Sequence, residues 1–193
     1  MHDDDEPLIR QAQAGDAQAF EALLAMYYER MYAFAYKWCA NREDAEDVAQ
    51  QACIKLARGL DQFRFESKFT SWLYRLVINC AKDWQKSQAR HQQTSAKDVS
   101  AAHINAAGID DYPHENHVVT SDTRPDNAIF LQQLLSRLDH FADGMKETFM
   151  LVHAEGFTHG EAAIILNVKE STISWRLHDI RKRLQPLLGG EAL

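Results

Sequence analysis

The sequence predicts an all-α protein in which two small helical domains are joined by a flexible linker. Apolar residues recur at spacings of three and four on both sides of a polar segment, which indicates amphipathic helices. Eight Gly and four Pro residues leave few tight turns, so an all-β fold is not expected. A chain of 193 residues is long enough to bury two cores. We place the N-terminal domain at 1–92, the linker at 93–125 and the C-terminal domain at 126–193.

The N-terminal domain is expected to contain amphipathic helices that pack on one another. Asp16 is suited to cap a first long helix, and Asn41 to cap the next. A third helix is expected to begin near Thr70, after an aromatic segment at 63–69. The inward faces are predicted to consist of Phe20, Leu23, Leu24, Tyr27, Met31, Phe34 and Trp38; Ala45, Val48, Ala49, Ala52 and Leu56; and Trp72, Leu73, Leu76, Val77, Cys80 and Trp84.

The periodicity fails after the third helix and returns in the C-terminal domain. Residues 91–124 are rich in Ala, Ser, Thr, Asp and His, which favours a flexible linker with at most a short helix around 99–107. A helix with Met145, Phe149 and Val152 inward is expected to follow the domain's first one. Its last two helices are predicted from a capping box at 158–161, a tight turn at Asn167-Val168, an apolar stripe and an end at Pro186. That stripe consists of Ile173, Leu177, Ile180 and Leu184.

Charge is unevenly distributed along the chain. The net charge of −7 disfavours binding to a polyanion, and residues 1–54 carry 11 acidic and 4 basic side chains. Residues 55–90 carry 8 basic and 3 acidic side chains, and residues 169–183 carry 5 and 2. Two basic segments in an acidic protein suggest two local contacts with nucleic acid, although solvated helix faces give the same pattern.

The first basic segment combines cations with aromatic rings. Arg75, Asn79, Lys82, Lys86 and Arg90 share one predicted helix face, directly after Phe63, Phe65 and Phe69. Rings that stack on bases and cations that hold phosphates are what a single-stranded nucleic acid requires. The alternative is that the phenylalanines are core residues. We expect Phe65, between Arg64 and Glu66, to be the most exposed of them.

The second basic segment has the pattern of a helix-turn-helix. A short apolar helix, a turn and a helix with a basic outer face occur in that order, and such a second helix fits the major groove of DNA. An ordinary helical hairpin with a basic face is the alternative. The residues expected outside are Thr172, Ser174, Trp175, Arg176, His178 and Arg181.

Other classes of protein have little support in the sequence. No glycine-rich phosphate loop, GxSxG or HExxH motif occurs, so we expect neither an enzyme nor a cofactor. The histidines have no cysteine partners at ligand spacing, so no metal site is expected. No apolar run is long enough to cross a membrane, residues 1–20 lack the pattern of a secretory signal, and the three cysteines match no disulfide framework. A cytoplasmic location follows as an expectation.

Three segments resemble the extracytoplasmic-function sigma factors of bacterial RNA polymerase. Residues 44–51 (DAEDVAQQ) and 69–83 (FTSWLYRLVINCAKD) resemble region two of that family, and 156–184 resembles region four. The resemblance spans about four-fifths of the chain, in the family's order. It implies a noncatalytic subunit that brings core polymerase to a promoter and helps to melt the minus-ten element.

The resemblance also implies roles for single residues. Asp47, Gln50 and Gln51 would bind the clamp coiled coil of the polymerase's largest subunit, and the flap of the polymerase is implied as a further contact. Contacts with the minus-ten strand would come from Lys55, Phe63, Arg64, Phe65, Arg75, Asn79, Lys82 and Lys86. Contacts with the minus-thirty-five duplex would come from Ser171, Thr172, Ser174, Trp175, Arg176, His178 and Arg181. An anti-sigma protein is implied as a further partner.

The sequence departs from the family at several positions, most of them in its last helix. The family usually has a basic residue at Ser174, a small one at Trp175 and an Arg at Asp179, and it often has an arginine pair where Arg90-His91 stands. Each loss of a cation lowers the attraction to phosphate, and Asp179 adds repulsion. A helix-turn-helix regulator that binds duplex DNA without polymerase is the alternative function. Such a regulator has no use for a base-stacking loop beside a cationic helix.

Overall fold

The computed structural model describes residues 5–95 and 133–185, and every regular element in these ranges is a helix. The N-terminal part contains α1 (Glu6–Gln13), α2 (Ala17–Cys39), α3 (Arg42–Gly59), a 3-10 turn (Leu60–Gln62) and α4 (Phe69–Ser95). In the C-terminal part, residues 133–138 are helical. They are followed by α5 (Met145–Phe149), a π-helical turn (Met150–Ala154), α6 (His159–Leu166) and α7 (Glu170–Leu184). The predicted all-α class is confirmed.

Local chemistry sets the helix boundaries. The Asp16 carboxylate accepts hydrogen bonds from the backbone N–H groups of residues 18 and 19, and the Asn41 side chain accepts one from residue 44. Thr158 and Glu161 form the predicted capping box at the start of α6. Asn167 ends α6 in the left-handed conformation, with φ 53° and ψ 49°, as the predicted tight turn requires.

The N-terminal domain is a helical bundle around a large apolar core. Leu23 of α2, Leu56 of α3 and Leu73 of α4 are almost completely buried, as their spacing predicted. Tyr27 lies in the same core, and its hydroxyl donates a hydrogen bond to the buried carboxylate of Asp5. Burial of such side chains stabilises the bundle by about 1.5–3 kcal/mol each.

The C-terminal domain has its own small core, centred on Leu138, Met145, Ile180 and Leu184. The predicted inward face of the helix after residue 144 is partly wrong. Phe149 and Val152 are half-buried, whereas Met150 and Leu151 are buried. The π-helical turn causes this shift, because the N–H of Glu155 bonds to the carbonyl of Met150, five residues back, and moves the later side chains round the axis.

The two domains pack against each other. Met150, Leu151 and Ile165 belong to the same apolar cluster as the core of the N-terminal bundle. Tyr74 of α4 meets Phe157 edge to face, with ring centroids 4.8 Å apart. Helix α4 continues to Ser95, beyond the domain boundary expected at 92. The linker residues that follow, the short helix expected around 99–107 and the helix end expected at Pro186 lie outside the described residues.

Candidate nucleic-acid interface

Helix α4 brings four of the predicted minus-ten residues onto one face. Arg75, Asn79 and Lys86 are exposed, and Lys82 is partly buried. Lys55 joins them from α3, since its ammonium group lies 2.9 Å from the carboxylate of Asp83. The structure therefore assembles a cationic surface from two helices, which we call the α4 face: Lys55, Arg75, Asn79, Lys82 and Lys86.

Two cations of the α4 face have partners in the C-terminal domain. Arg75 donates from Nε to the carbonyl oxygen of Ile165 at 2.8 Å, and its guanidinium also bonds to the carbonyl of Ile164. Lys82 lies 2.6 Å from Asp143 and 2.8 Å from Glu147. Burial lowers the pKa of Lys82, but the hydrogen bonds to the two carboxylates outweigh it and raise that pKa above its ordinary value. Lys82 is therefore fully charged near neutral pH.

The aromatic loop is packed into its own domain. Phe63 and Phe69 are 5% and 6% exposed, so the alternative that they are core residues holds for both rings. The Gln13 side-chain amide fixes the loop by donating to the carbonyls of Leu60 at 2.8 Å and Phe63 at 2.9 Å. No ring of Phe63 or Phe69 is presented for base stacking in this conformation.

Phe65 is the most exposed of the three phenylalanines, as expected. It is only partly exposed, because its ring lies 4.8 Å from that of Phe63 and the Arg10 guanidinium covers it at 4.2 Å. Its backbone is left-handed, with φ 59°, a conformation that costs a non-glycine residue energy and turns the side chain back toward the bundle. Arg64, its neighbour, is the exposed side chain of the pair.

The predicted polymerase-binding residues lie on the outer surface of α3. Asp47, Gln50 and Gln51 are all exposed. A row of tyrosines on α2 was not among the predicted site residues: Tyr28, Tyr32 and Tyr36 stack with ring centroids 6.5 and 6.2 Å apart. The spacing of four residues could have predicted this row of tyrosines, because residues four apart on a helix are neighbours on its surface.

The last two helices form the predicted helix-turn-helix. Ser171, Ser174, Trp175, His178 and Arg181 are exposed along α7. The indole of Trp175 is 58% exposed, so its bulk projects into solvent instead of packing on the domain.

Arg176 and Asp179 of α7 each have a partner within the protein. Arg176 is partly buried, with Nη1 3.4 Å from the hydroxyl of Thr148. Its guanidinium also covers Gly144, where φ is 85° and a Cβ atom would clash with it. The carboxylate of Asp179 lies 2.8 Å from Nε of Arg183, so its expected repulsion of phosphate is partly neutralised.

The segment of the chain that carries the α3 and α4 surfaces matches a known protein family. The model for sigma-70 region 2 matches residues 23–91, which contain most of α2, all of α3 and most of α4. The chain is 27% identical to the RNA polymerase sigma-H factor of Pseudomonas aeruginosa over 95% of both chains. It is also 27% identical to the ECF RNA polymerase sigma-E factor of Escherichia coli, over 95% of this chain and 96% of that one. The chain belongs to the extracytoplasmic-function sigma factors.

Two solved structures share the fold of this sigma factor across both domains. CnrH, in its complex with the cytosolic domain of CnrY, superposes with a TM-score of 0.65 at 21% identity, covering 98% of this chain and 100% of that one. The sigma factor RpoE of Bartonella quintana, in complex with the anti-sigma factor NepR, gives a TM-score of 0.62 at 24% identity, covering 91% and 100%. The two-domain helical architecture is thus common to all three proteins.

The described part of the sigma factor contains no cluster of three or more His, Cys, Asp or Glu side chains placed to hold a metal ion. No helix within 5–95 or 133–185 is both long and apolar enough to cross a bilayer. Burial raises the pKa of the Cys39 thiol to about 12, so this cysteine is not a reactive thiolate at neutral pH.

Proposed function

We propose that this alternative sigma factor binds core RNA polymerase through α3, holds the melted minus-ten strand on the α4 face and reads the minus-thirty-five duplex with α7. The observation that carries the proposal is the α4 face itself. Four cations and one amide lie together within the segment that matches sigma-70 region 2, on an otherwise acidic protein. Such a cluster of positive charge supports the proposal, because the phosphates of an unpaired strand require cationic partners.

At the minus-ten element the side chains divide between phosphates and bases. Lys55, Arg75, Lys82 and Lys86 are the phosphate contacts, because long flexible cations neutralise charge without reading sequence. Asn79 is suited to a flipped base, since its amide can both donate to and accept from a base edge.

Stacking of the flipped base requires a change in the aromatic loop. Phe63 has to leave its buried position, or the exposed Arg64 has to supply a planar surface in its place. Stacking is worth about 1–3 kcal/mol per base, similar to the cost of unstacking one. Contacts with core polymerase then supply the remaining free energy of melting.

At the minus-thirty-five element α7 lies in the major groove. Arg181 and Trp175 are exposed on it, and an arginine can donate two hydrogen bonds to a guanine edge. The residues that we assign to this contact are Ser171, Thr172, Ser174, Trp175, Arg176, His178 and Arg181.

The partners follow from these surfaces. Asp47, Gln50 and Gln51 on α3 receive the clamp coiled coil of the polymerase's largest subunit, and the C-terminal domain binds the flap. An anti-sigma protein is a further partner, as it is for the RpoE neighbour. The sigma factor works in the cytoplasm as a noncatalytic subunit, with no cofactor.

A duplex-binding regulator that ignores polymerase is the second candidate. The packing of Phe63 and Phe69 inside the bundle favours it, because such a regulator needs no stacking loop. Membership of the sigma family disfavours it.

Native gel shifts with core polymerase, with and without promoter DNA, distinguish the two candidates. We expect a stable complex with core enzyme, and a shift of promoter DNA that depends on that core enzyme. Tight binding of duplex promoter by the protein alone, with no complex with core polymerase, would instead identify a regulator.

A further inference from the structure

One side of α1 carries a stripe of polar residues beside the aromatic loop at 63–69. Glu6, Arg10 and Gln13 are spaced by four and three residues, so they follow one another along the helix surface. We call these three residues the α1 stripe. The neighbouring side of α1 is apolar, and Ile9 and Ala12 on it belong to the core of the bundle. Helix α1 is therefore fixed to the domain while its polar side chains reach the loop.

Gln13 holds the start of the loop through both of its side-chain donors. Its Nε2 group donates to the carbonyl of Leu60 at 2.8 Å and to that of Phe63 at 2.9 Å. A glutamine amide has two N–H groups, so these two bonds use both of them. The Leu60 carbonyl also accepts a hydrogen bond from the N–H of Phe63 at 3.0 Å, across the 3-10 turn. Gln13 thus fixes the two ends of that turn.

Arg10 covers the next ring of the loop. Its guanidinium lies 4.2 Å from the ring centroid of Phe65. Glu6 orients that guanidinium, because one of its carboxylate oxygens lies 2.8 Å from Nε and 2.7 Å from Nη2 of Arg10. Phe65 has a φ of 59°, and a non-glycine residue persists in this conformation only where its surroundings determine it. The contact with Arg10 is part of those surroundings.

The loop alternates between side chains held in the bundle and side chains in solvent. Phe63 is buried and Phe65 is partly buried, whereas Arg64 and Glu66 are exposed. A guanidinium is planar and positively charged, so it can stack on a base and also attract phosphate. With the rings on either side of it held in the bundle, Arg64 is placed to meet a strand.

We propose that the α1 stripe is a positioning element for the minus-ten contact, which holds two rings of the loop in the bundle and so presents Arg64 to the unpaired strand. Gln13 and Arg10 act through the loop and do not touch the strand themselves. The inference rests on the proposed function, because it takes the loop to contact melted DNA. A loop that is already shaped before it meets the strand loses less conformational entropy on binding.

Substitution of Gln13 tests this role. Gln13→Met removes both donors and keeps a neutral side chain of similar length. Gln11→Met makes the same change at an exposed position of α1 and serves as the control. Holoenzyme is formed with each full-length protein, and its affinity for a labelled minus-ten non-template strand is measured by fluorescence anisotropy. We expect Gln13→Met to bind the strand about tenfold more weakly than wild type, and Gln11→Met to match wild type.

Two further measurements separate positioning from a general loss of stability. Hydrogen exchange followed by mass spectrometry should be faster at residues 60–65 in Gln13→Met than in wild type, and unchanged in Gln11→Met. Binding to core polymerase should be equal in all three proteins, because α3 is unaltered. If strand affinity and core binding fall equally in Gln13→Met, Gln13 only stabilises the domain and the proposal is overturned.

Substitution of Arg10 provides a second test that does not depend on how well Gln13→Met folds. The Arg10 side chain is 59% exposed, and Arg10→Lys keeps its charge while removing the planar group that covers Phe65. We expect Arg10→Lys holoenzyme to bind the strand about two- to fivefold more weakly than wild type, as loss of an exposed cation–π contact implies. Wild-type strand affinity in either Arg10→Lys or a folded Gln13→Met would overturn the proposal.

Failure of the proposed function has a different result. If wild-type holoenzyme neither binds the minus-ten strand nor melts the promoter, the proposed function is wrong, and this inference fails with it. If wild-type holoenzyme does both and the two α1 variants match it, the α1 stripe has no positioning role and the sigma function stands.

Discussion

The hydroxyl of Tyr74 donates a hydrogen bond to Glu155 at 2.6 Å and so ties α4 to the segment that leads into the helix-turn-helix. Tyr74 is buried, and burial together with the Glu155 carboxylate raises its pKa far above the ordinary value. Its hydroxyl therefore remains a donor at any physiological pH. The bond joins two residues that are 81 positions apart in the chain.

Loss of the Tyr74 hydroxyl should destabilise the protein. We expect Tyr74→Phe to lower the free energy of unfolding by about 1.5–3 kcal/mol, the usual contribution of a hydrogen bond to a charged group. Urea unfolding followed by tryptophan fluorescence measures this loss in the free energy of unfolding. Tyr36→Phe is the control, since Tyr36 is 42% exposed on α2. Equal losses in the two variants would contradict the assigned role of the bond.

The stability that Tyr74 contributes should also depend on pH. The folded-state pKa of Tyr74 is raised from its ordinary value of 10.0, so the contribution is complete below pH 10 and is lost as the unfolded chain ionises above it. The difference between wild type and Tyr74→Phe should therefore be constant from pH 7 to about 9 and shrink above about 10. If the stability difference between wild type and Tyr74→Phe instead grows above pH 10, the predicted direction of the pH dependence is wrong.

The capping box should account for part of the stability of the helix-turn-helix. Thr158→Ala removes the side-chain oxygen that accepts from the N–H of Glu161 and should cost about 1 kcal/mol. Thr158→Ser keeps that oxygen and should cost little. Urea unfolding of both variants gives the comparison, and equal losses would mean that the methyl group, not the cap, is what matters.

Asn79 and Gln50 should affect different steps of initiation. Asn79→Ala should reduce permanganate reactivity of the minus-ten thymines about tenfold while leaving binding to core polymerase unchanged, because one lost base contact is worth 1–3 kcal/mol. Gln50→Ala, on the outer surface of α3, should weaken core binding instead. Loss of core binding in Asn79→Ala would show that this residue has been assigned to the wrong partner.

Arg181 should contribute to duplex binding through charge. It is exposed on α7, unlike Arg176, whose contacts with Gly144 and Thr148 make it a structural residue as well. Arg181→Ala should weaken binding of holoenzyme to the minus-thirty-five element and reduce the salt dependence by about one counterion. Arg137→Ala, an exposed change outside α7, serves as the control. An unchanged salt slope in Arg181→Ala would remove this residue from the interface.

Local chemistry explains what could be predicted from the sequence. The caps at Asp16, Asn41 and Thr158 and the left-handed Asn167 depend only on neighbouring residues, so a short window of sequence contains all the information. The apolar stripe of α7 follows from helical periodicity in the same way. The all-α class and the sigma-family resemblance rested on patterns of this kind.

Contacts between residues that are distant in the chain explain which features of the fold and the site could not be predicted from the sequence. Lys82 and Glu147 are 65 positions apart, and nothing in the spacing of either one reveals that they pair. Phe63 likewise has a distant partner, because the Gln13 side chain on α1 donates a hydrogen bond to its carbonyl from 50 positions away. The cations of α4 were visible in the sequence, but their present partners depend on how the domains dock.

Photocrosslinking from two positions tests the central claim most directly. A photoreactive phenylalanine analogue replaces Arg64 in one protein and Trp175 in another, and each is irradiated in the open promoter complex. We predict that position 64 crosslinks to the non-template strand of the minus-ten element and position 175 to duplex DNA at the minus-thirty-five element. Crosslinks from position 64 that reach only protein, in a complex whose promoter is melted, would contradict the account.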